Sequence, residues 1–205
     1  MARESNQTEL LIRNVALKLF EENGYKRTTL RDVAEHAGTN VALVNYYFRS
    51  KKNLFLILYK EKINRINTLS EVLLNEDEPF KNRVTYYMNE LYEQFKADPK
   101  LPIFVLSEAN YNKELQEELK IDFPDFHAKT ISKIQMILDK EAKAGEINPI
   151  TADFFRGTIL SILSRPFLEY PLLIKSGDLS ISTHDDYLKR WYKHSFTIID
   201  KMLFK

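Results

Sequence analysis

The side chains with chemical reach in this chain gather around one glycine. Thr29, Asn40, Asn45, Tyr46, Tyr47 and Lys51 all stand within a short stretch on either side of Gly38. Hydroxyl, amide and ammonium groups donate to phosphate oxygens, and an asparagine amide can bond adenine at two points in the major groove. A hydroxyl and a backbone N–H at a helix start, as at Thr29, suit a phosphate. Catalysis is poorly served. Cysteine is absent, which removes thiolate chemistry, disulfides and thiolate metal sites together. The four histidines, His36, His127, His184 and His194, have no partner at metal-ligand spacing. No GxSxG, P-loop or dinucleotide fingerprint occurs. No catalytic residue, metal or cofactor is expected.

Helices must hold these groups. From Asn6 to Asn23 apolar residues recur at helical spacing (Leu10, Leu11, Ile12, Val15, Ala16, Leu19, Phe20), and Gly24 follows as a candidate C-cap. Thr29 and Asp32 have capping-box spacing and open a short second helix that ends at Gly38. Asn40 caps a third helix, Val41 to Tyr47. Ser50 caps a fourth, running from Lys51 to about Leu74. Two short helices joined at Gly38-Thr39 make a helix-turn-helix candidate, although an ordinary helical corner has the same spacing. Further helices are expected at 79–97, 101–112, 113–121, 124–144, 151–175 and 184–204. Pro166 and Pro171 should kink or interrupt the fifth of these. No stretch alternates with a period of two, so the fold is all-α.

Composition agrees. The chain has 205 residues, 44% hydrophobic and 29% charged, with only 5 Gly and 7 Pro. Those values fit a folded globular protein rather than a disordered or many-turned β chain. The net charge of +1 carries no nucleic-acid signature. Locally it does more: residues 1–53 hold nine Lys/Arg against six Asp/Glu, and the remainder 21 against 23. The N-terminus lacks the apolar core of a signal peptide, and the longest apolar runs, such as Leu54 to Tyr59, are too short to span a bilayer. A cytoplasmic, soluble protein is expected. Its domains should be a helix-turn-helix unit at 1–50 and a helical body at 51–205.

The stretch from Phe20 to Phe55 carries a specific pattern: Phe20, Gly24-Tyr25, Thr28-Thr29, Asp32-Val33-Ala34, Ala37-Gly38 and Tyr47-Phe48-Arg49-Ser50-Lys51, in order. It resembles the DNA-binding domain of the tetracycline-repressor (TetR) family of bacterial regulators. The resemblance covers about 45 residues; the rest is similar only in being helical and of suitable length. It implies an N-terminal helix-turn-helix with a long helix leading into an effector-binding and dimerisation domain. It also implies DNA contacts at Thr29, Asn40, Val41, Ala42, Leu43, Asn45, Tyr46, Tyr47 and Lys51. Tyr47 and Lys51 match the family's phosphate contacts, and Tyr46 a position that touches bases or backbone. The departure is Val41-Ala42-Leu43, apolar where many relatives are polar. Specificity would then lean on thymine methyls, Asn45 and DNA shape.

The same resemblance implies homodimerisation on a palindromic operator and release of a repressor by a small molecule. Small residues Gly157 and Ser161 allow close helix approach. The last helix carries more apolar surface than one face can bury, so Trp191, Ser195, Ile199 and Met202 are expected with them at a dimer interface. The effector pocket is expected among Tyr87, Phe104, Ser107, Tyr111, Phe126 and Arg165, which as ordinary core positions would carry no ligand. The alternative is a helical small-molecule-binding protein or cofactor-free enzyme with a vestigial helix-turn-helix.

Overall fold

A computed structural model describes residues 2–105, 113, 116–117, 124–176 and 183–205. The described chain is helical throughout. The elements are α1 (Ala2–Arg27), α2 (Leu30–His36), α3 (Val41–Phe48), α4 (Lys51–Leu69), a 3₁₀ turn (Ser70–Leu74), α5 (Phe80–Ala97), α6 (Pro124–Lys143), α7 (Ala152–Ser176) and α8 (His184–Leu203). Residues 101–105 are also helical; the remainder of the helices expected at 101–112 and 113–121 lies largely outside the described residues. Among the described residues the one β feature is an isolated antiparallel bridge between Ile147 and Phe204. No described helix is long and apolar enough to cross a membrane.

The chain divides into two compact units, Met1–Asn64 with Phe104–Glu118, and Arg65–Ile103 with Leu119–Lys205. The division falls inside α4. In the first unit α1 packs on α2 and α2 on α3. Its core joins Ile12, Ala16, Phe20, Val33, Ala34, Val44, Phe48, Leu54 and Phe55, all buried. Aromatic edges organise it: Phe20 meets Phe55 in a T arrangement at 5.0 Å, and Tyr25 lies 4.8 Å from Phe55. Such pairs add about 0.5–1.5 kcal/mol beyond area burial. Lys62 and Glu21, both largely buried, pair at 2.9 Å.

Two glycines set the turns. Gly24 has φ 77° and ψ 165° and breaks α1 rather than ending it, so helical backbone resumes through Arg27. Thr28 secures the break by donating its hydroxyl to the carbonyls of Leu19 (3.1 Å) and Gly24 (3.0 Å). Gly38, at φ 62°, turns the chain between α2 and α3 while Thr39 N–H returns to Ala34 O at 2.9 Å. L-residues pay for this left-handed conformation and glycine does not.

In the second unit α7 packs against α5, α6 and α8, and the 3₁₀ turn meets α5 and α6. The fourth helix, expected to reach Leu74 as one α-helix, tightens into 3₁₀ geometry after Leu69. Pro79 sits one place outside α5 as its N-cap and accepts from Asn82 N–H at 2.9 Å. Neither Pro166 nor Pro171 interrupts α7. A proline has no N–H for the carbonyl four residues back. For Pro166 that carbonyl is Ile162 O, and the Trp191 indole N–H of α8 takes it at 2.6 Å.

Two expectations follow. Gly38→Ala should cost about 1–2 kcal/mol and no more, because an added Cβ meets nothing within 4 Å; denaturant unfolding measures it, and a larger loss would mean the turn also relies on close packing. Trp191→Phe keeps an aromatic ring but strands the Ile162 carbonyl, and should lose about 1–2 kcal/mol in the same assay.

Candidate nucleic-acid interface

Helix α3 is fixed from one side and open on the other. Asn40 Oδ1 accepts from Leu43 N–H at 2.9 Å and starts the helix. Val44 and Phe48 are buried in the first unit. Side chains one and two positions from them must then face away. Ala42, Asn45 and Tyr46 are exposed, and Val41, Leu43 and Tyr47 half-buried. The Tyr46 and Tyr47 rings meet edge-on at 5.3 Å. The outward surface thus offers methyl groups at its start, then one amide and two phenols. After α3, Asn53 donates its side-chain amide to Phe48 O at 3.0 Å, and Ser50 Oγ accepts from Asn53 N–H at 3.1 Å. Arg49 takes φ 66° at the junction, a conformation that strains a non-glycine residue.

The flanking donors are less free than their spacing implies. Thr29 gives both its backbone N–H and its hydroxyl to Asp32 Oδ2, each at 2.8 Å, while its Oγ accepts from Asp32 N–H at 3.2 Å. The Thr29 hydroxyl holds the Asp32 carboxyl below the usual carboxylate range, so Asp32 is anionic at neutral pH. The Thr29 donors expected at a phosphate are thus engaged with the Asp32 carboxylate in the capping box. Lys51 Nζ donates to Tyr25 O at 3.0 Å and lies 4.2 Å from the centre of the Tyr25 ring. An ammonium has three donors, so two are left for a phosphate.

In the second unit the expected residues separate. Tyr87 is buried on α5. Phe104 is corrected: its ring packs at 5.8 Å from Phe55 and 6.0 Å from Tyr59, in the aromatic core of the first unit. Arg165 is corrected too, being exposed and paired with Glu169 at 2.5 Å one turn on. It shares an open groove on α7 with Phe154, Gly157, Thr158 and Ser161. Ser107 and Tyr111, and the side chain of Phe126, lie outside the described residues. Of the residues expected at a dimer surface, Gly157 and Ser161 are exposed, and Trp191 and Met202 half-buried. Ser195 and Ile199 are each 1% exposed and packed within the chain's own fold, which corrects both. Sequence reasoning passed over Arg156, whose side chain is buried. Its signal was its register, three and seven residues before Ile159 and Leu163 on the apolar face of α7.

Two short helices set at an angle by a left-handed glycine, the second presenting a polar and aromatic face to solvent, define a helix-turn-helix DNA-binding protein. Residues 12–58 match the family model described as bacterial regulatory proteins, tetR family. The chain is a DNA-binding transcriptional regulator whose residues 12–58 resemble the DNA-binding domain of that family. It is similar to the Fatty acid metabolism regulator protein of Bacillus subtilis, 23% identical over 135 residues that cover 65% of this chain and 68% of the relative. It is also similar to the Probable HTH-type transcriptional regulator YttP of the same organism, 23% identical over 192 residues, 93% of this chain and 90% of the relative. The fold matches a TetR family transcription regulator from Marinobacter aquaeolei VT8 over 100% of both chains, with a TM-score of 0.66 at 13% identity.

Replacing Lys51 by alanine should weaken binding to specific and random DNA by one common factor and reduce the salt slope by about 0.9 per subunit. The Tyr25 carbonyl loses its donor as well, so the melting temperature should fall. A slope equal to that of the unmodified protein would confine Lys51 to holding Tyr25.

Proposed function

We propose that the protein is a repressor that binds a palindromic operator as a homodimer and leaves it when a small molecule occupies the second unit. The observation that carries the DNA half of this reading is the two-sided burial of α3, with Val44 and Phe48 inside and Asn45 and Tyr46 outside. Asn45 reads a base edge, with adenine the best match to an amide. Val41, Ala42 and Leu43 lie against thymine methyls, and with so few donors DNA shape supplies the remaining discrimination. Asn40 and Tyr46 border this surface. Tyr47 and Lys51 grip phosphates.

Two half-sites call for two copies of α3, related by the symmetry of a dimer. An exposed stripe on α7 supports pairing there: Phe154 and Leu172 are large, apolar and exposed, and Gly157 and Ser161 between them let a second helix approach closely. Trp191, Ile198 and Met202 of α8 extend it. Release follows from linkage. An effector that favours a state in which the two copies of α3 no longer fit the half-sites lowers DNA affinity, and DNA lowers effector affinity by the same factor. Helix α4 runs without a break from one unit into the other and is the element through which such a bias passes. The likeness to a fatty acid metabolism regulator makes genes of lipid metabolism the first place to look for the operator.

Binding-site selection on the purified protein should return an inverted repeat. The same selection on Asn45→Ala should relax one position in each half-site, costing about 1–3 kcal/mol there while random-DNA affinity holds. Identical motifs from the two proteins would remove Asn45 from base reading, and a motif without two-fold symmetry would remove the dimer.

A further inference from the structure

Among the described residues three basic side chains are buried: Lys62, Arg83 and Arg156. Two of them have carboxylate partners. Lys62 holds Glu21, and Arg83 pairs with Glu141 at 3.3 Å and donates to Leu73 O at 2.7 Å. Arg156 has none. It is 5% exposed, its Nη2 reaches Asn67 Oδ1 at 3.3 Å, and its Nε donates to nothing. A guanidinium cannot shed its charge at any working pH, so a positive charge sits in the core of the second unit without an anion.

Its surroundings have the same incompleteness. Asn67 is 7% exposed and its Nδ2 donates to nothing. Tyr87 is 0% exposed, and its hydroxyl hydrogen finds no acceptor. Burial pushes the Tyr87 phenol up, and the Arg156 charge, with the guanidinium donating towards the phenol oxygen, pulls it back only in part. So three unfilled N–H or O–H groups, from α4, α5 and α7, accompany one uncompensated cation. Every one of them can donate to a negative oxygen. An isolated carboxylate pays heavily to enter an apolar interior, and donors already in place offset that cost. The same helices bury mostly apolar side chains, with Phe80, Met88 and Leu91 on α5 and Phe155 and Ile159 on α7, besides the Arg83 that pairs with Glu141 one turn before Tyr87.

We infer that Asn67, Tyr87 and Arg156 form the acid-recognition end of the effector site, and that the effector is an apolar molecule carrying a single carboxylate. Arg156 supplies the charge, and Tyr87 Oη and Asn67 Nδ2 supply neutral donors beside it. This assignment deepens the proposed ligand-released repressor and rests on that reading for its regulatory meaning. The choice of an arginine without a protein partner has a reason. A resident Asp or Glu would stabilise the empty protein and compete with the ligand, whereas an unpaired cation leaves that attraction for the incoming acid.

The test uses the full-length protein and straight-chain carboxylates from butanoate to hexadecanoate, with decanol and decyl phosphate as controls for the head group. Calorimetric titration and thermal melting are run without DNA, and an operator gel shift on the same preparations. At least one carboxylate should bind and raise the melting temperature, at least tenfold more tightly than the alcohol of equal length. Arg156→Met should melt at or above the unmodified protein when empty, since it removes an unpaired buried charge, and should lose that tenfold preference. Tyr87→Phe should stay folded and bind several-fold more weakly. The inference is overturned if no carboxylate is preferred over its alcohol, if decyl phosphate binds more tightly than decanoate, or if Arg156→Met retains the preference. It is overturned too if empty Arg156→Met melts far below the unmodified protein, which would make Arg156 a structural residue. The gel shift separates the two levels. Operator binding without carboxylate binding sinks this inference alone, and carboxylate binding through Arg156 without operator binding sinks the repressor reading and leaves the site.

Discussion

An eight-residue helix has almost no stability of its own, because the cost of its first turn is barely recovered before it ends. Helix α3 therefore exists only as far as Val44 and Phe48 are buried beneath it. That burial fixes the rotation of α3 about its axis, and the rotation decides that Asn45 and Tyr46 meet solvent. The rest of the first unit serves the same end. The left-handed turn at Gly38 aims the helix, Asn40 starts it, and the Asn53 amide closes its last carbonyl. The Phe20, Tyr25 and Phe55 cluster gives it a firm floor. Two buried side chains thus govern the orientation of a surface that never touches them.

Buried charge divides the molecule in another way. Lys62 with Glu21 and Arg83 with Glu141 are ion pairs, although Arg83 Nε, like Arg156 Nε, has no acceptor, and removing one partner of such a pair typically costs more than the pair contributes. These are fixtures of the fold. Arg156, within the same fold, has an amide oxygen and the Tyr87 phenol beside it but no carboxylate. The contrast is between buried charges that face a carboxylate and one that does not, and burial plays no part in it, being nearly equal for all three.

Much of this was legible in the sequence. The helical period, the caps at Thr29, Asn40 and Ser50 and the glycine turn all depend on neighbours within a few residues, and local rules read local causes. The capping box shows where such reading stops. Thr29 carries two readings on one residue, cap and phosphate donor, and only the geometry of Asp32 shows which has the hydroxyl. Lys51 is similar, since Tyr25 is 26 residues away in the chain and no spacing rule links them. Phe104 and Arg165 misled because an aromatic or a charged residue in a helix does not declare which way it faces. Arg156 was hidden by the habit of reading a charge on a helix as solvated, although its register with Ile159 and Leu163 pointed inward. Ser195 and Ile199 were assigned to a second copy because the last helix was apolar on more than one face, and their own fold covers them.

The bond from the Trp191 indole to the carbonyl released by Pro166 has an optical consequence. Trp191 is the sole tryptophan in the chain, and its ring is half-buried against Tyr187 at 6.0 Å with its N–H fixed on Ile162 O. Indole emission depends on the polarity and mobility around that ring, so fluorescence excited at the red edge of the absorption band observes the second unit only. The DNA-reading unit contains tyrosine and phenylalanine but no tryptophan, and is dark in that channel. If the two units melt separately, tryptophan emission and far-ultraviolet dichroism will give different midpoints, and coincident curves will mean that they unfold as one. One hydrogen bond on a proline-altered helix fixes the label by which the protein reports on its own second unit.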